Sequence, residues 1–310
     1  MAQRRGPLGA VIAVLGVLSA CGGIGMATGA LPRGYDLLFS PQAHAFRFAS
    51  APEPVRRGAR SERFELRDGD CGGSDCTNPR YRSEIIEKRP TARIGENIWY
   101  GWSFRNQTIP GFDRDFALRV VLGQWKLSGE TPPAFRLVQI GAGEGNWARC
   151  DPTICRPSGD TREDVVVQLA DMAQTQGWGA RQNDGHICKL FSMEDARSQW
   201  MDIVVNTNFA TGANGYSMAW VNGVLRCDYR GPIVASGVAP SGSTITGAPS
   251  GNTISVRRGI FASFTTRWDQ TLGSLPKPLM IAFYDEFRSG NTRQDVDVRL
   301  REAAGLAALD

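Results

Sequence analysis

Residues 200–224, WMDIVVNTNFATGANGYSMAWVNGV, decide the fold of this chain. The segments 200–209 and 216–224 are both rich in the β-branched and aromatic residues that strands favour. The Gly-Ala-Asn-Gly run between them is typical of a turn. The stretch therefore predicts an antiparallel β-hairpin.

Similar segments recur along the chain, separated by turn residues, and long helical periodicity is nearly absent. The segment 161–174 is the best helix candidate and could also be a strand. Two irregular segments, 142–160 and 232–254, are expected to be long loops. Many short strands at this spacing predict an all-β protein, a β-jelly-roll or concanavalin-like sandwich. The other strand-like segments are 63–70, 97–104, 116–126, 134–141, 257–264 and 278–288.

The N-terminal MAQRRGPLGAVIAVLGVLSAC has a basic start, then an apolar run, then small residues, as secretory signal peptides do. Its last four residues, Leu18-Ser19-Ala20-Cys21, resemble a bacterial lipobox. We therefore expect cleavage before Cys21 and lipidation of that cysteine; a plain signal peptide cut near Ala30 is the alternative. The predicted protein is exported, as a periplasmic, outer-membrane or cell-surface lipoprotein, or alternatively secreted.

The domain organisation follows from these features. Residues 1–20 are predicted to be a lipoprotein-type signal peptide, and 21–34 a Gly- and Ala-rich tether. Residues 35–297 are expected to form the β-domain, and 298–310 a C-terminal tail. The membrane would then be contacted only through the lipid anchor, and the sequence does not indicate an oligomeric state.

The net charge of +4 is mild, and Arg residues rather than runs of Lys account for most of the basic side chains. This composition does not suggest a nucleic-acid partner. Arginine suits bidentate contact with carboxylates and sulfates, so the composition is compatible with an acidic ligand.

Seven cysteines are present, and removing Cys21 leaves an even number in an exported chain. A zinc site is a weak alternative, because the only two histidines, His44 and His186, are not at ligand spacing from a cysteine pair. We predict the disulfides Cys71–Cys76, Cys150–Cys155 and Cys188–Cys227.

Three short stretches place polar residues on one face of a strand. VLGQWKLSG (121–129) puts Gln124 and Lys126 on one face and Trp125 on the other. YRSEI (81–85) aligns Arg82 with Glu84 in the same way. RRGIF (257–261) aligns Arg257, Gly259 and Phe261.

Together with WMDIVV, AWVNG and FYDEFRSG, these stretches resemble the bacterial polysaccharide lyases of the heparin lyase I and glucuronan lyase type, over roughly residues 35–295. Jelly-roll alginate lyases share a layout of Arg-Ser-Glu, Gln-x-His and Lys-x-Gly-Ile-Tyr. The resemblance implies a concave sheet face that binds a uronic-acid-containing polysaccharide and cleaves it by β-elimination.

Such a reaction needs groups that neutralise the uronate carboxylate, a base for the C5 proton, and an acid for the leaving oxygen. The resemblance makes Arg82, Gln124 and Arg257 the carboxylate-binding candidates. The chain departs from the family at both proton-transfer positions, because Lys126 replaces the histidine and Phe261 the tyrosine.

Two readings of this departure are open. In the first, Lys126 is the base, with its pKa lowered by Arg82, Arg257 and partial burial, and Tyr284, Tyr216 or a water is the acid. In the second, the protein is a non-catalytic carbohydrate-binding surface protein on a lyase scaffold. A structural surface protein without a glycan ligand is a weaker third possibility.

Other polar and aromatic side chains are candidates for substrate binding, although each has an ordinary structural explanation. Arg82 and Glu84 could form a charge pair, the tryptophans could be core residues, and Asn222-Gly223 could be only a turn. The histidines are expected to be structural or exposed. The candidates are Glu84, Asn206, Asn208, Trp220, Asn222 and Arg258.

A structural calcium ion is a further prediction, because relatives with this fold often hold one. Hard oxygen ligands are available in RDGD and YDEF, from Asp68, Asp70 and Asp285. Acidic turns are common without metals, and the sequence does not show that these three carboxylates meet.

Overall fold

The computed structural model describes residues 30–78, 80–90, 92–111, 119–127, 133–140, 154–169, 186–234, 253–263, 265–273 and 275–310. Two antiparallel β-sheets pack against each other as a sandwich, so the predicted all-β fold is confirmed. The strands are β1 (Tyr35–Leu38), β2 (Phe46–Ala49), β3 (Ser61–Leu66), β4 (Tyr81–Glu87), β5 (Ala92–Arg93), β6 (Ile98–Asn106), β7 (Arg119–Leu127), β8 (Phe135–Gln139), β9 (Val165–Leu169), β10 (His186–Phe191), β11 (Met201–Thr207), β12 (Tyr216–Val221), β13 (Val224–Arg230), β14 (Thr253–Ser263) and β15 (Met280–Gly290).

The helices of the described residues are short. They are α1 (Ser74–Thr77), α2 (Asp195–Ser198), α3 (Thr265–Leu272), α4 (Arg293–Val296) and α5 (Val298–Ala303). Across the described ranges, no helix is long and apolar enough to cross a membrane.

The eight-stranded sheet has the order β1-β4-β14-β7-β8-β9-β10, and β5 pairs with β14. The seven-stranded sheet has the order β13-β12-β11-β6-β15-β3-β2. Strands β4, β14 and β7 are adjacent although they are far apart in sequence. This order brings the three polar stretches identified in the sequence next to each other.

The core lies between the two sheets and is filled by alternate strand residues. Trp125 of β7 stacks on Phe135 of β8, with 4.2 Å between ring centroids. Tyr100 and Trp102 of β6 meet Trp125 from the seven-stranded sheet, with 5.5 and 5.3 Å between ring centroids. Full burial of one large apolar side chain contributes about 1.5–3 kcal/mol, so these aromatic residues dominate the stability of the sandwich.

The predicted hairpin is confirmed, because β11 pairs antiparallel with β12 and Val205 lies opposite Ala219. The segment 161–174, for which helix and strand were both open, contains strand β9, and residues 170–174 lie outside the described part. Most of the two predicted loops and the whole of the predicted signal peptide also lie outside it.

Two of the predicted disulfides are present. Cys188–Cys227 joins β10 to β13, which are edge strands of different sheets, so it clamps the sandwich at one end. Cys71–Cys76 closes a short loop around α1. Cys155 is also disulfide-bonded, but Cys150, its predicted partner, lies outside the described residues.

Residues 298–310, predicted to be a C-terminal tail, pack back onto the domain. The Leu309 N–H donates to the buried Glu286 carboxylate, and the Ala59 N–H donates to Asp310 Oδ1 at 2.8 Å. Arg56 forms an ion pair with Glu302 of α5 at 2.9 Å. The C-terminal segment is therefore held by polar contacts at several points.

Candidate functional site

The predicted motifs meet on the face of the eight-stranded sheet that points away from the core, here called the site face. Arg257 of β14 lies opposite Gln124 of β7, which lies opposite Arg136 of β8, which lies opposite Gln168 of β9. These four residues form a row across four strands, here called the polar row. Lys126 follows two residues after Gln124 and points to the same side.

Arg82 of β4 lies beside this row, but its charge is already matched. Its Nε and Nη2 atoms donate to Asp75 at 2.6 and 3.2 Å, and its Nη1 donates to Glu84 at 2.6 Å. Burial would lower the pKa of Arg82, but Glu84 and Asp75 raise it above its ordinary value. Arg82 is therefore a fixed, neutralised cation, and its contribution is to the architecture of the site.

Glu84 connects Arg82 to the polar row. It is fully buried, and its second carboxylate oxygen accepts a 2.8 Å hydrogen bond from the Gln124 amide. Both oxygens are thus engaged within the protein. This corrects the prediction that Glu84 contacts the substrate, since its position suits orienting Arg82 and Gln124.

Arg257 differs from Arg82 in having no matched partner. It makes no ion pair or hydrogen bond with the described residues, and its Nε is buried without a hydrogen-bond partner. Burial lowers the pKa of Arg257, the nearby Glu84 carboxylate partly offsets this effect, and the neighbouring Arg82 lowers the pKa further. A half-buried cation that makes no direct ion pair with the described residues is what an anionic ligand would complete.

Arg136 is not among the sequence candidates, although it alternates with apolar residues in the strand-like segment 134–141, AFRLVQIG. Its Nη1 donates to Gln168 Oε1 at 3.2 Å, and the structure gives it no carboxylate partner among the described residues. Burial lowers the pKa of Arg136 to about 10, so it stays charged at neutral pH. No motif marked it, because only the pairing of β7 with β8 brings it beside Gln124.

Asp75 was also missed, because it lies in the loop between Cys71 and Cys76 rather than on a strand. The disulfide and α1 hold its carboxylate against Arg82. In the sequence this loop is marked only by its two cysteines, and a lone aspartate between them indicates no function.

Lys126 is half-buried on the site face, and its backbone carbonyl accepts a hydrogen bond from the Ser255 hydroxyl at 3.3 Å. Its strand register places it near Gln124 and Arg257. The structure therefore brings the predicted base together with the groups predicted to bind the carboxylate.

Phe261 lies opposite Arg82 in the pairing of β14 with β4. Its ring belongs to an apolar cluster next to the polar row, together with Val121, Val138, Val166 and Ile187. The position that holds a tyrosine in the family motif therefore holds an apolar surface here, and it supplies no proton.

Gly259 permits the close approach of β14 to β4. Its φ is +132°, and a Cβ there would lie 2.2 Å from the Ser83 carbonyl oxygen. A side chain at this position would separate the strands that carry Arg257 and Arg82. The glycine of RRGIF is thus required by backbone geometry.

Tyr284 does not lie on the site face, which corrects its prediction as the acid. It is buried in the core, with its hydroxyl 2.7 Å from the Leu122 carbonyl oxygen and 2.9 Å from that of Gly259. Burial raises its pKa well above the ordinary value. Tyr216, the other tyrosine considered, belongs to β12 of the opposite sheet.

Arg258 is also directed inward, as alternation along β14 requires when Arg257 points outward. It is buried in a bidentate ion pair with Glu62, with distances of 2.5 and 2.6 Å. Its guanidinium lies over the ring of Tyr35 at 4.1 Å. The predicted contact between Arg258 and substrate is therefore wrong, and the residue joins the two sheets.

Four other substrate-binding candidates belong to the seven-stranded sheet and its turns, not to the site face. Trp220 lies between the Trp99 ring and the Arg293 guanidinium. The remaining three serve the local backbone, because their side chains bond to strand and turn amides or carbonyls. These three are Asn206, Asn208 and Asn222.

The proposed calcium ligands do not come together. Tyr284 of β15 pairs with Glu62, while Met280 pairs with Leu66 at the other end, beside the turn with Asp68 and Asp70. Asp285 is thus about five strand residues, roughly 16 Å, from that turn. Among the described residues no three His, Cys, Asp or Glu side chains cluster as a metal site, so the predicted set does not fit calcium.

Comparison with known proteins agrees with the β-sandwich fold. A family model described as polysaccharide lyase matches residues 39–288. The endo-β-1,4-glucuronan lyase from the fungus Trichoderma reesei has a similar structure, with a TM-score of 0.53 and 17% sequence identity over 86% of this chain and 94% of that chain. This likeness confirms the predicted jelly-roll fold.

A second solved structure, alginate lyase A1-II′ of polysaccharide lyase family 7, gives a TM-score of 0.47 with 10% identity over 83% of this chain and 94% of that chain. No curated protein matches the sequence.

Proposed function

The chain belongs to the polysaccharide lyase family, as its sequence indicated, and on that premise we propose that it binds a uronic-acid-containing polysaccharide across the site face and cleaves it by β-elimination. The observation on which this rests is the pair of arginines flanking Gln124. Arg257 and Arg136 have no carboxylate partner among the described residues. A uronate carboxylate supplies the missing charge.

Binding of the carboxylate prepares the substrate for proton removal. Arg257 and the free amide hydrogen of Gln124 would hold the carboxylate and draw electron density from it, which makes the C5 proton more acidic. Glu84 keeps the Gln124 amide in place, and Arg82 keeps Glu84 in place. Arg257 and Gln124 would thus contact the ligand, and the buried ion pair of Glu84 and Arg82 would hold Gln124 in position.

Lys126 is the proposed base, because it lies on the site face two residues after Gln124. In its neutral amine form it takes the C5 proton, the electron pair forms the C4–C5 double bond, and the glycosidic oxygen leaves from C4. The resulting Lys126 ammonium can return its proton to that oxygen. One lysine then serves as base and as acid, so the reaction does not need Tyr284 as the acid.

A second candidate function is carbohydrate binding without cleavage. The observation in its favour is Phe261, which occupies the tyrosine position of the family motif and cannot exchange a proton. On this reading Arg257, Gln124 and Arg136 retain their ligand, while Lys126 adds only a positive charge. Both candidates predict binding, and they differ only in turnover.

Purified protein incubated with glucuronan, alginate and heparin-type chains would test the proposal, with the ultraviolet absorbance of the unsaturated product as the readout. The glucuronan lyase likeness makes glucuronan the first polymer to test. Lys126→Ala is expected to lower turnover at least about a hundredfold and to weaken binding only modestly. Lys189→Ala, on β10 of the same sheet, is the matched control.

Each outcome decides between the candidates. Absorbance growth that Lys126→Ala abolishes supports the lyase with Lys126 as base. A flat trace on every polymer, with binding retained, supports the binding protein. Absence of binding to all of them would contradict both.

We also propose that the chain is exported and anchored by a lipid at Cys21. Its support is the Cys71–Cys76 and Cys188–Cys227 disulfides, which are typical of an oxidising compartment. Radiolabelled fatty acid incorporation that disappears in Cys21→Ser would support the anchor; incorporation unchanged in that variant would contradict it.

A further inference from the structure

Two guanidinium groups meet on the side chain of Gln168. Its Oε1 accepts hydrogen bonds from Arg119 Nη2 at 2.5 Å and from Arg136 Nη1 at 3.2 Å. Gln168 is 3% exposed, so its amide is a fixed acceptor. These residues come from β7, β8 and β9, and only sheet pairing assembles them.

The choice of an amide at this position has an electrostatic consequence. A glutamate in the place of Gln168 would orient the two arginines equally well and would give Arg136 a counterion. Glutamine orients them and leaves Arg136 with no carboxylate partner among the described residues, which is unfavourable for this half-buried cation unless a ligand brings an anion. The contrast with Arg82, which has two carboxylate partners, is direct.

The spacing between Arg136 and Arg257 also suggests a ligand. Their strands, β8 and β14, are separated by β7, so the two residues lie two strand spacings apart, about 10 Å. This is about the length of a disaccharide. In a β-1,4-linked chain successive sugars are turned over, so carboxylates on one side of the chain recur at every second sugar.

We propose that Arg136, oriented by Gln168 and accompanied by Arg119, forms a second carboxylate subsite, which binds a uronate two sugars away from the one held by Arg257 and Gln124. This inference rests on the proposed function, since it assumes a uronate chain across the site face. Its consequence is specificity: the protein selects polymers whose acidic groups repeat at the disaccharide interval over polymers with isolated uronates.

The test measures the Kd values of a glucuronate disaccharide and of a hexasaccharide by titration calorimetry. All proteins carry Lys126→Ala, so that the ligand stays intact. The variants are Arg136→Gln and Gln168→Glu; the second adds a counterion and is expected to fold at least as well as its parent. Arg230→Gln, an exposed arginine on the opposite sheet, is the charge-matched control.

We expect both variants to raise the hexasaccharide Kd about tenfold or more, the size of a lost charged hydrogen bond, and to leave the disaccharide Kd within about twofold. Arg257→Gln should weaken both ligands, and Arg230→Gln neither.

Three results would overturn the second subsite. If Arg136→Gln and Gln168→Glu leave the hexasaccharide Kd unchanged while Arg257→Gln raises it, the proposed function stands and this subsite does not exist. If both ligands weaken equally, Arg136 belongs to the same subsite as Arg257. If the parent protein binds neither ligand, the proposed function fails as well.

Discussion

The guanidinium of Arg82 lies over the ring of Phe261, with 4.0 Å between Cζ and the ring centroid. Arg82 is held there by Asp75 and Glu84, so the cation cannot move away from the ring. Phe261 carries no group that can exchange a proton, which makes the position a sensitive place for substitution.

We expect Phe261→Tyr to raise turnover on a uronate polysaccharide by about tenfold or more, because it adds an acid–base group beside the reacting sugar. Initial rates from the ultraviolet absorbance of the product measure the effect. Phe261→Leu, which adds no hydroxyl, is the control; equal rates for both variants would contradict the prediction.

Arg82 and Arg257 should respond oppositely to loss of charge. Arg82→Met leaves Asp75 and Glu84 buried without their cation, so the free energy of unfolding should fall by about 3–5 kcal/mol. Arg257→Met removes a cation with no counterion among the described residues, so stability should not fall, while uronate affinity should. Urea unfolding and calorimetric binding of both variants distinguish these effects. A stability loss in Arg257→Met as large as that in Arg82→Met would show that Arg257 is an architectural residue.

Stability should depend on pH through Asp285, on the seven-stranded sheet. Burial raises the pKa of Asp285 from 3.8 to about 7, although backbone N–H groups of Arg57, Arg56 and Glu286 lower it. The folded chain keeps this proton over a range in which the unfolded chain has lost it. The free energy of unfolding therefore falls as the pH rises from 3.8 to about 7.

Asp285→Asn should remove this dependence, which amounts to at most about 1.4 kcal/mol per pH unit. Urea unfolding of both proteins at several pH values between these two pKa values gives the slopes. Parallel slopes for the variant and the wild type would mean that Asp285 is ionised in the folded protein across the range.

The two disulfides should differ in their contribution to stability. Cys188–Cys227 spans a sequence separation of 39 and joins the two sheets, whereas Cys71–Cys76 spans 5. Loop-closure entropy predicts losses of about 4 and about 2 kcal/mol when the respective pairs are replaced by serine. Denaturant unfolding of the two double variants measures them. A smaller loss for the longer loop would show that residual structure in the unfolded chain outweighs closure entropy.

Most of the fold could be predicted because alternation of apolar and polar residues has a direct physical cause. Successive strand side chains point to opposite faces, so the pattern of YRSEI and RRGIF fixed which residues share a face. The same rule places Arg258 opposite to Arg257 and therefore inside, so alternation alone argues against Arg258 as a substrate ligand.

The positions of other candidate residues could not be predicted, because alternation does not say which sheet a strand joins. Trp220 and Asn206 have polar or aromatic character suited to a glycan, yet β12 and β11 belong to the seven-stranded sheet. Tyr284 lies on a strand with the same alternation as the site strands, and only packing of the two sheets turns its face into the core.

The sequence by itself determined the strands, the faces they present and the family to which the chain belongs, since these follow from local side-chain periodicity and short motifs. Only the tertiary structure decided that β14 lies between β4 and β7, that Asp75 and Glu84 neutralise Arg82, and that Arg136 stands beside Gln124. The reason is that strand order is set by long-range pairing and by burial of whole faces. Residues distant in sequence thereby become neighbours, and their charges are matched or left unmatched only once the sheets have formed.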